Sequence, residues 1–305
     1  MSEVRRLLLT GAGGLLGSNI AAIAGGDYLL TKIFSNRAKG ESAIRLDLSK
    51  PQSRKGLVAY FKPDVVVNCA ANPSVESCEN RELSTYQINV ELPEDLAMQA
   101  AASGAKFIQV SSDAVYSGNS GNYNEQSIAS PANAYGEMKL DAEFKVLTAN
   151  PQSLILRTNF FGLSAESDRG LADFFLSNLM KGRSVKGFND SFISSIYVDS
   201  LVKSIFQLVD ANATGVLNLG SNEKVSKYVF GRMIAQAFEL DEQLVIPAKA
   251  DETQSVPRGR DLSLDISRAA SILETPLPTV YEGITNMKHN LESGRRLALQ
   301  RLVRQ

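Results

Sequence analysis

Short apolar runs alternate with amphipathic stretches through the first half of this chain, and the rhythm predicts strand, helix, strand, helix. Leu7-Leu8-Leu9 reads as a buried strand that runs into glycines at 11, 14 and 17 and then into a helix around Ile20–Ile23. Tyr28–Phe34 reads as a second strand and Ile44–Leu48 as a third. Pro63–Asn68, β-branched at its centre, reads as a fourth strand buried on both faces, as parallel strands are. Pro51 suits the first turn of a helix reaching Phe61, and Leu83–Ala102 predicts another, interrupted at Pro93. Lys106–Val110 is the fifth strand. A helix carrying Tyr135 runs to Leu147 and stops at Asn150-Pro151, ahead of a sixth strand at Leu154–Leu156.

This spacing predicts an α/β protein built on a Rossmann-type, doubly wound parallel sheet. After Gly162 the pattern is less regular. Helices are predicted at Leu171–Met180, Val198–Val209 and Ser226–Phe238, with short strands near Phe188 and at Val216–Leu219. The expected division is a dinucleotide-binding domain over residues 1–162, to which later strand and helix segments return, and a smaller, interwoven part over 163–305 that is mainly a substrate-binding cap. The tail, with Arg295, Arg296, Arg301 and Arg304, reads as an amphipathic, solvated helix.

Composition narrows the function. With 44% hydrophobic residues in 305, the chain can bury a sizeable core, and a formal net charge of -1 gives no bulk attraction to nucleic acid or to an anionic membrane. No apolar run approaches the length of a bilayer span and MSEVRRLLLT reads as the approach to a strand, so a cytoplasmic location is expected. Two cysteines and one histidine, His289, are too few for a zinc site, and no metal is expected.

Glycines 11, 14 and 17 carry the first chemical signal. Between an apolar strand and a helix they bring backbone N–H groups and the helix N-terminus to face an anion, with no side chain in the way of a pyrophosphate. The second strand then ends in Ser35-Asn36-Arg37 without a carboxylate. An acidic residue there would accept from the ribose hydroxyls, whereas an arginine pairs with a 2′-phosphate, so NADP(H) is favoured and NAD(H) stays open. Small residues Cys69-Ala70-Ala71 at the end of the fourth strand let a cofactor pack close, or simply fill core.

Tyr135 and Lys139, four apart on one helical face, carry the second signal. A phenol near its ordinary pKa of ~10 exchanges protons sluggishly at neutral pH, and bringing it to about 7 takes roughly 4 kcal/mol, the scale that one partly desolvated ammonium supplies. Lys139 is placed to do this. The fifth strand delivers Ser111-Ser112-Asp113 to the carboxyl edge of the sheet, where ligands bind in open α/β folds. Between that edge and Tyr135 lies a polar loop, Tyr116–Ala132, long enough to cover a site. Pro257-Arg258-Gly259-Arg260-Asp261 offers two guanidiniums in a turn, suited to a substrate phosphate or to solvent.

These residues resemble the extended short-chain dehydrogenases/reductases, and within them the reductases of dTDP-4-keto-6-deoxy sugars, the dTDP-4-dehydrorhamnose reductase-like family. The likeness rests on GAGGLLG at 11–17, KPDVVVNCAA at 62–71, VESCE at 75–79, QVSSDAVYSG at 109–118, NYNE at 122–125, SPANAYGEMKLDAE at 130–143, LRTNFFG at 156–162 and PRGRDLSLD at 257–265. The resemblance implies an NADP(H)-dependent reductase of a nucleotide-linked 4-keto-6-deoxy sugar. Tyr135 would be the general acid, Lys139 would bind the nicotinamide ribose, and Ser112 would hydrogen-bond the carbonyl oxygen. Gly11, Gly14, Leu15, Leu16 and Gly17 would cradle the pyrophosphate, Asn36 and Arg37 the 2′-phosphate, and Asp47 and Leu48 the adenine. Cys69, Ala70, Ala71 and Asn89 would complete the cofactor site, with Asp113, Asn159 and Arg258 toward the sugar. Two departures fall beside the sugar: Ala114-Val115-Tyr116, where the family usually has Tyr-Val-Phe, and Asn159-Phe160-Phe161-Gly162, where it carries a tryptophan-bearing segment. They leave the sugar open. An epimerase or dehydratase retaining NAD, a non-catalytic NADP-binding regulatory subunit, and a homodimer stay open as well.

Overall fold

In the computed structural model, which describes residues 4–35, 43–166, 170–250 and 256–304, seven parallel strands form one sheet. They are β1 (Arg5–Thr10), β2 (Tyr28–Phe34), β3 (Ala43–Arg45), β4 (Val65–Asn68), β5 (Lys106–Val110), β6 (Leu154–Thr158) and a late strand, Gly215–Leu219, that returns to the edge beside β6. From that edge the order is late strand, β6, β5, β4, β1, β2, β3. The chain winds outward from β1 in both directions, so the crevice between the carboxyl ends of β1 and β4 is the topological switch point. Thr10 stands level with Asn68 there.

Both faces of the sheet are covered, which is why its strands are continuous apolar runs. Leu7, Leu9, Val65, Val67 and Ile108 enter the larger core, while Leu8, Val66, Phe107 and Ile155 enter the second, following the two-residue side-chain period. The larger core continues into the C-terminal part through Phe161, Tyr197 and Phe230.

Several boundaries differ from those predicted. The third strand is shorter, Ala43–Arg45, an edge strand paired on one side only. The helix expected up to Phe61 is two, Pro51–Arg54 and Leu57–Phe61, because Gly56 between them takes a left-handed conformation at φ +68°. The helix through Pro93 is not broken. It widens into a π-turn over Gln87–Glu91, and the Leu92 N–H reaches back to Gln87 O, which absorbs the register change next to the proline. A helix at Val280–Glu292, closed at its start by a Thr279/Glu282 capping box, was not anticipated.

The tail corrects a larger expectation. Helix Arg295–Arg304 is docked rather than solvated: Leu299 is fully buried, and Leu302 and Val303 pack against the main core. Arg295 pairs with Asp199 at 2.8 Å, and Arg296 pairs with the buried Asp173. Among the described residues no helix is long and apolar enough to cross a membrane.

Candidate active site

The glycine turn is forced by close packing. A Cβ on Gly11, whose φ is +67°, would lie 2.6 Å from the Ala70 nitrogen, and one on Gly17 would lie 2.2 Å from Gly11 O. Gly14 is different. It is the N-cap of helix Leu15–Ala24, its N–H donates to Gly11 O at 3.0 Å, and a Cβ there would find nothing nearer than 3.4 Å. Gly11 and Gly17 therefore shape the turn, while Gly14 leaves space for an anion at the helix N-terminus.

Two cavities meet at this turn. One, of about 450 Å³, runs over Gly13, Phe34, Ser35, Asp47 and Leu48; the other, of about 470 Å³, holds Leu15, Leu16, Ser112, Tyr135 and Lys139. They share Gly14, Cys69, Ala70 and Ala71, so together they form an elongated cleft across the switch point. Asn36 and Arg37 lie outside the described residues. Asn89 lines neither cavity. From the π-turn it accepts from Asn72 N at 2.8 Å and donates to Asn72 O at 3.0 Å, bracing the loop after β4 from behind.

A chain of buried polar groups underlies the cleft. Thr10 Oγ1 donates to Asn68 Oδ1 at 2.5 Å, Asn68 Nδ2 to Gln109 Oε1 at 2.7 Å, and Gln109 Nε2 to Val110 O at 2.8 Å. The same carbonyl accepts from Lys139 Nζ at 2.6 Å. Backbone and side-chain groups from β1, β4 and β5 thus hold the ammonium in place, and none of Thr10, at the start of the glycine turn, or Asn68 and Gln109, within strands, had a role legible in the sequence.

Tyr135 reaches Ser112 because its helix, Ala134–Ala149, starts very close to the turn Asp113–Val115. A Cβ on Gly136 would meet Ala114 O at 2.2 Å, and the N-cap Asn133 accepts from Gly136 N at 3.0 Å. The expected tuning of the phenol is not what the structure gives. Burial, and next the charge of Asp113, push the Tyr135 pKa up to about 12, and the hydrogen bond with Ser112 only partly opposes this. Burial likewise lowers Lys139 to about 8, with Glu143 pulling it back up. Desolvation outweighs any attraction between phenolate and ammonium, so the protonated phenol is strongly favoured.

Glu143 continues the face of Tyr135 and Lys139 at the next turn. Its carboxylate accepts from Ser111 Oγ and from Arg157 Nη2 at 2.7 Å, and Arg157 Nη1 donates to Tyr116 Oη at 2.8 Å. Ion pair and hydroxyls are all buried.

Toward the C-terminal part, Asp113 accepts from Ser112 Oγ at 3.0 Å and from Asn159 Nδ2 at 2.9 Å. Burial raises its pKa to about 6, against these hydrogen bonds and the charge of Lys227. Lys227, at the start of helix Lys227–Ala237, went unnoticed in the sequence because only folding brings it near Asp113. Arg258 is exposed and lines neither cavity, and its charge is felt at Lys227 and Glu76. Arg260, the second guanidinium of that turn, lies 3.9 Å from Asp190 instead of facing the cavity. Thr158 lines the Tyr135 cavity, and its buried Oγ1 has no hydrogen-bond partner. The open cradle at Gly14, at a helix N-terminus, fits the diphosphate of a dinucleotide laid along the cleft.

A dinucleotide cleft at the switch point, ending at a serine, a tyrosine and a lysine, defines an NAD(P)-dependent oxidoreductase of the extended short-chain dehydrogenase/reductase type. The model of the RmlD substrate binding domain matches residues 5–293, and the chain belongs to that family. A dTDP-4-dehydrorhamnose reductase of Mycobacterium tuberculosis is 30% identical, over 89% of this chain and 88% of that protein. Methionine adenosyltransferase 2 subunit beta of Xenopus laevis is also 30% identical, over 87% of this chain and 81% of that protein. The crystal structure of a hypothetical dTDP-4-dehydrorhamnose reductase from Sulfolobus tokodaii superposes with a TM-score of 0.82 at 28% identity, covering 91% of this chain and 98% of that one.

Proposed function

We propose that this protein reduces the keto group of a nucleotide-linked 4-keto-6-deoxy sugar, using NADP(H) in preference to NAD(H). The observation that carries the reading is the single cavity in which Ser112, Tyr135 and Lys139 meet the glycine turn. The turn binds the diphosphate, Asp47 and Leu48 border the adenine, and the nicotinamide end lies toward Ser112. When bound, the cofactor supplies the hydride. Tyr135 and Ser112 then face the oxygen that gains negative charge, and the phenol, held protonated by its buried surroundings, donates its proton. Lys139 keeps an ammonium beside that exchange. Asp113, Asn159 and Lys227 border the sugar, and the exposed Arg258, whose charge reaches Lys227, would meet the nucleotide phosphates.

A panel of nucleotide-linked 4-keto sugars, each with NADPH or NADH and followed by loss of absorbance of the reduced cofactor, tests this reading. Turnover with one of them, faster with NADPH, supports it, and no turnover on any defeats it. A second reading has a specific observation in its favour, the likeness to subunit beta of a methionine adenosyltransferase. On that reading the chain binds a nicotinamide dinucleotide, turns over no keto sugar, and co-purifies with a stoichiometric enzyme partner.

A further inference from the structure

We infer that the C-terminal helix Arg295–Arg304 is part of the dinucleotide site, with Val303 forming the outer wall of its adenosine half. This helix follows the end of the family match at residue 293. It nevertheless packs on Leu15–Ala24, the helix whose N-terminus the glycine turn opens, and Val303 lines the same cavity as Gly11, Gly13 and Gly14. A Cβ placed on Gly13 would come within 4.0 Å of Val303 Cγ1 and 3.5 Å of Phe34. The other walls of that cavity, Phe34, Ser35, Asp47 and Leu48, come from the ends of β2 and of the segment after β3, where an adenosine ribose and base lie in this fold. Ser112, Tyr135 and Lys139 line the other cavity.

The helix is anchored for this position. Leu299 is buried in the core, Arg295 is held by Asp199, and Arg296 by Asp173 on helix Leu171–Leu179. The segment leading to that last helix carries Glu166, which lines the adenosine cavity, and Gly170, which lines the other. The Arg296–Asp173 pair ties the C-terminal helix to the helix that follows Gly170. The two methyls of Val303 join Phe34, Leu48 and Ile88 in an apolar lining that excludes water from one flank of the nucleotide and adds contact area to it.

The inference rests on the proposed dinucleotide site, and the test separates the two. Affinity for NADPH and for ADP is measured by titration on the full chain and on V303A, V303D and L297D, alongside the melting temperature of each without ligand. Leu297 is 61% exposed on the same helix and serves as the control. V303A is expected to bind both nucleotides roughly two- to fivefold more weakly. V303D, which sets a charged carboxylate into the adenosine half of the cleft and near the anionic phosphates beyond it, is expected to lose about tenfold or more for both. L297D is expected to match the full chain. Equal losses for ADP and NADPH place the contact in the adenosine half. Should V303D fail to fold, V303A and V303T carry the same comparison. Unchanged affinity in folded V303A and V303D overturns the inference alone. Failure of the unaltered chain to bind either NADPH or ADP overturns the dinucleotide site beneath it.

Discussion

Lys139 Nζ donates to the carbonyl of Val110 at 2.6 Å, fastening the middle of the Tyr135 helix to the end of β5. The bond matters because Val110 O is also fixed by Gln109, and through Asn68 by Thr10 at the glycine turn. The lysine's position is thus set by the strands that border the cofactor cleft, so the phenol and the cleft are held in one frame.

Tyr135→Phe removes the proton donor and leaves the ring packing in place. We expect turnover to fall by about 10²- to 10⁴-fold while NADPH affinity stays within a factor of about two. Steady-state kinetics with a titration of NADPH checks both, and wild-type turnover in the variant would refute the role given to the phenol.

Glu143 raises the pKa of Lys139, which burial holds near about 8. Glu143→Gln removes that charge, so the lysine should lose its proton at lower pH and the alkaline fall in kcat should move acidwards. A pH profile identical to wild type would separate Glu143 from Lys139. Arg157→Met instead strands the buried carboxylate, and a loss of about 3–5 kcal/mol in unfolding free energy is expected from breaking such a pair.

Asp113 tests linkage. Its folded pKa is raised above the usual carboxylate value of 3.8 to about 6 by burial. Between those values the native state binds more protons than the unfolded one, so the contribution is fully present below 3.8 and is lost as pH rises through about 6. Asp113→Asn should therefore gain stability relative to wild type at pH 8, by on the order of 2–3 kcal/mol, and gain little at pH 4. Denaturant melts at both pH values measure the difference, and the same offset at both would contradict the assignment.

Gly14 and Gly17 should respond differently to alanine. The added Cβ at 17 meets backbone oxygen at 2.2 Å and cannot be accommodated without moving the turn, whereas at 14 the nearest atom is 3.4 Å away. Gly17→Ala should lower both the melting temperature and cofactor affinity. Gly14→Ala should fold normally and weaken NADPH binding by about tenfold or more, since the methyl occupies the anion's place. Tight NADPH binding by folded Gly14→Ala would remove the diphosphate from that cradle.

The sequence by itself determined the parallel sheet, the glycine turn, and the i, i+4 placement of Tyr135 and Lys139. These follow from short-range rules: strands buried on both faces must be apolar throughout, a turn this tight excludes side chains, and helical spacing sets which residues share a face. It also brought Ser112 to the strand edge, because the end of an apolar run marks where a strand leaves the sheet. Only the tertiary structure decided the rest. Val303 and Glu166 join the cleft, Lys227 comes near Asp113, and Asn89 turns away to brace Asn72. It also decided the direction of the Tyr135 pKa, since a lysine one turn away says nothing about how much water each group loses. Those outcomes depend on contacts between residues far apart in the chain and on burial, which no local pattern encodes.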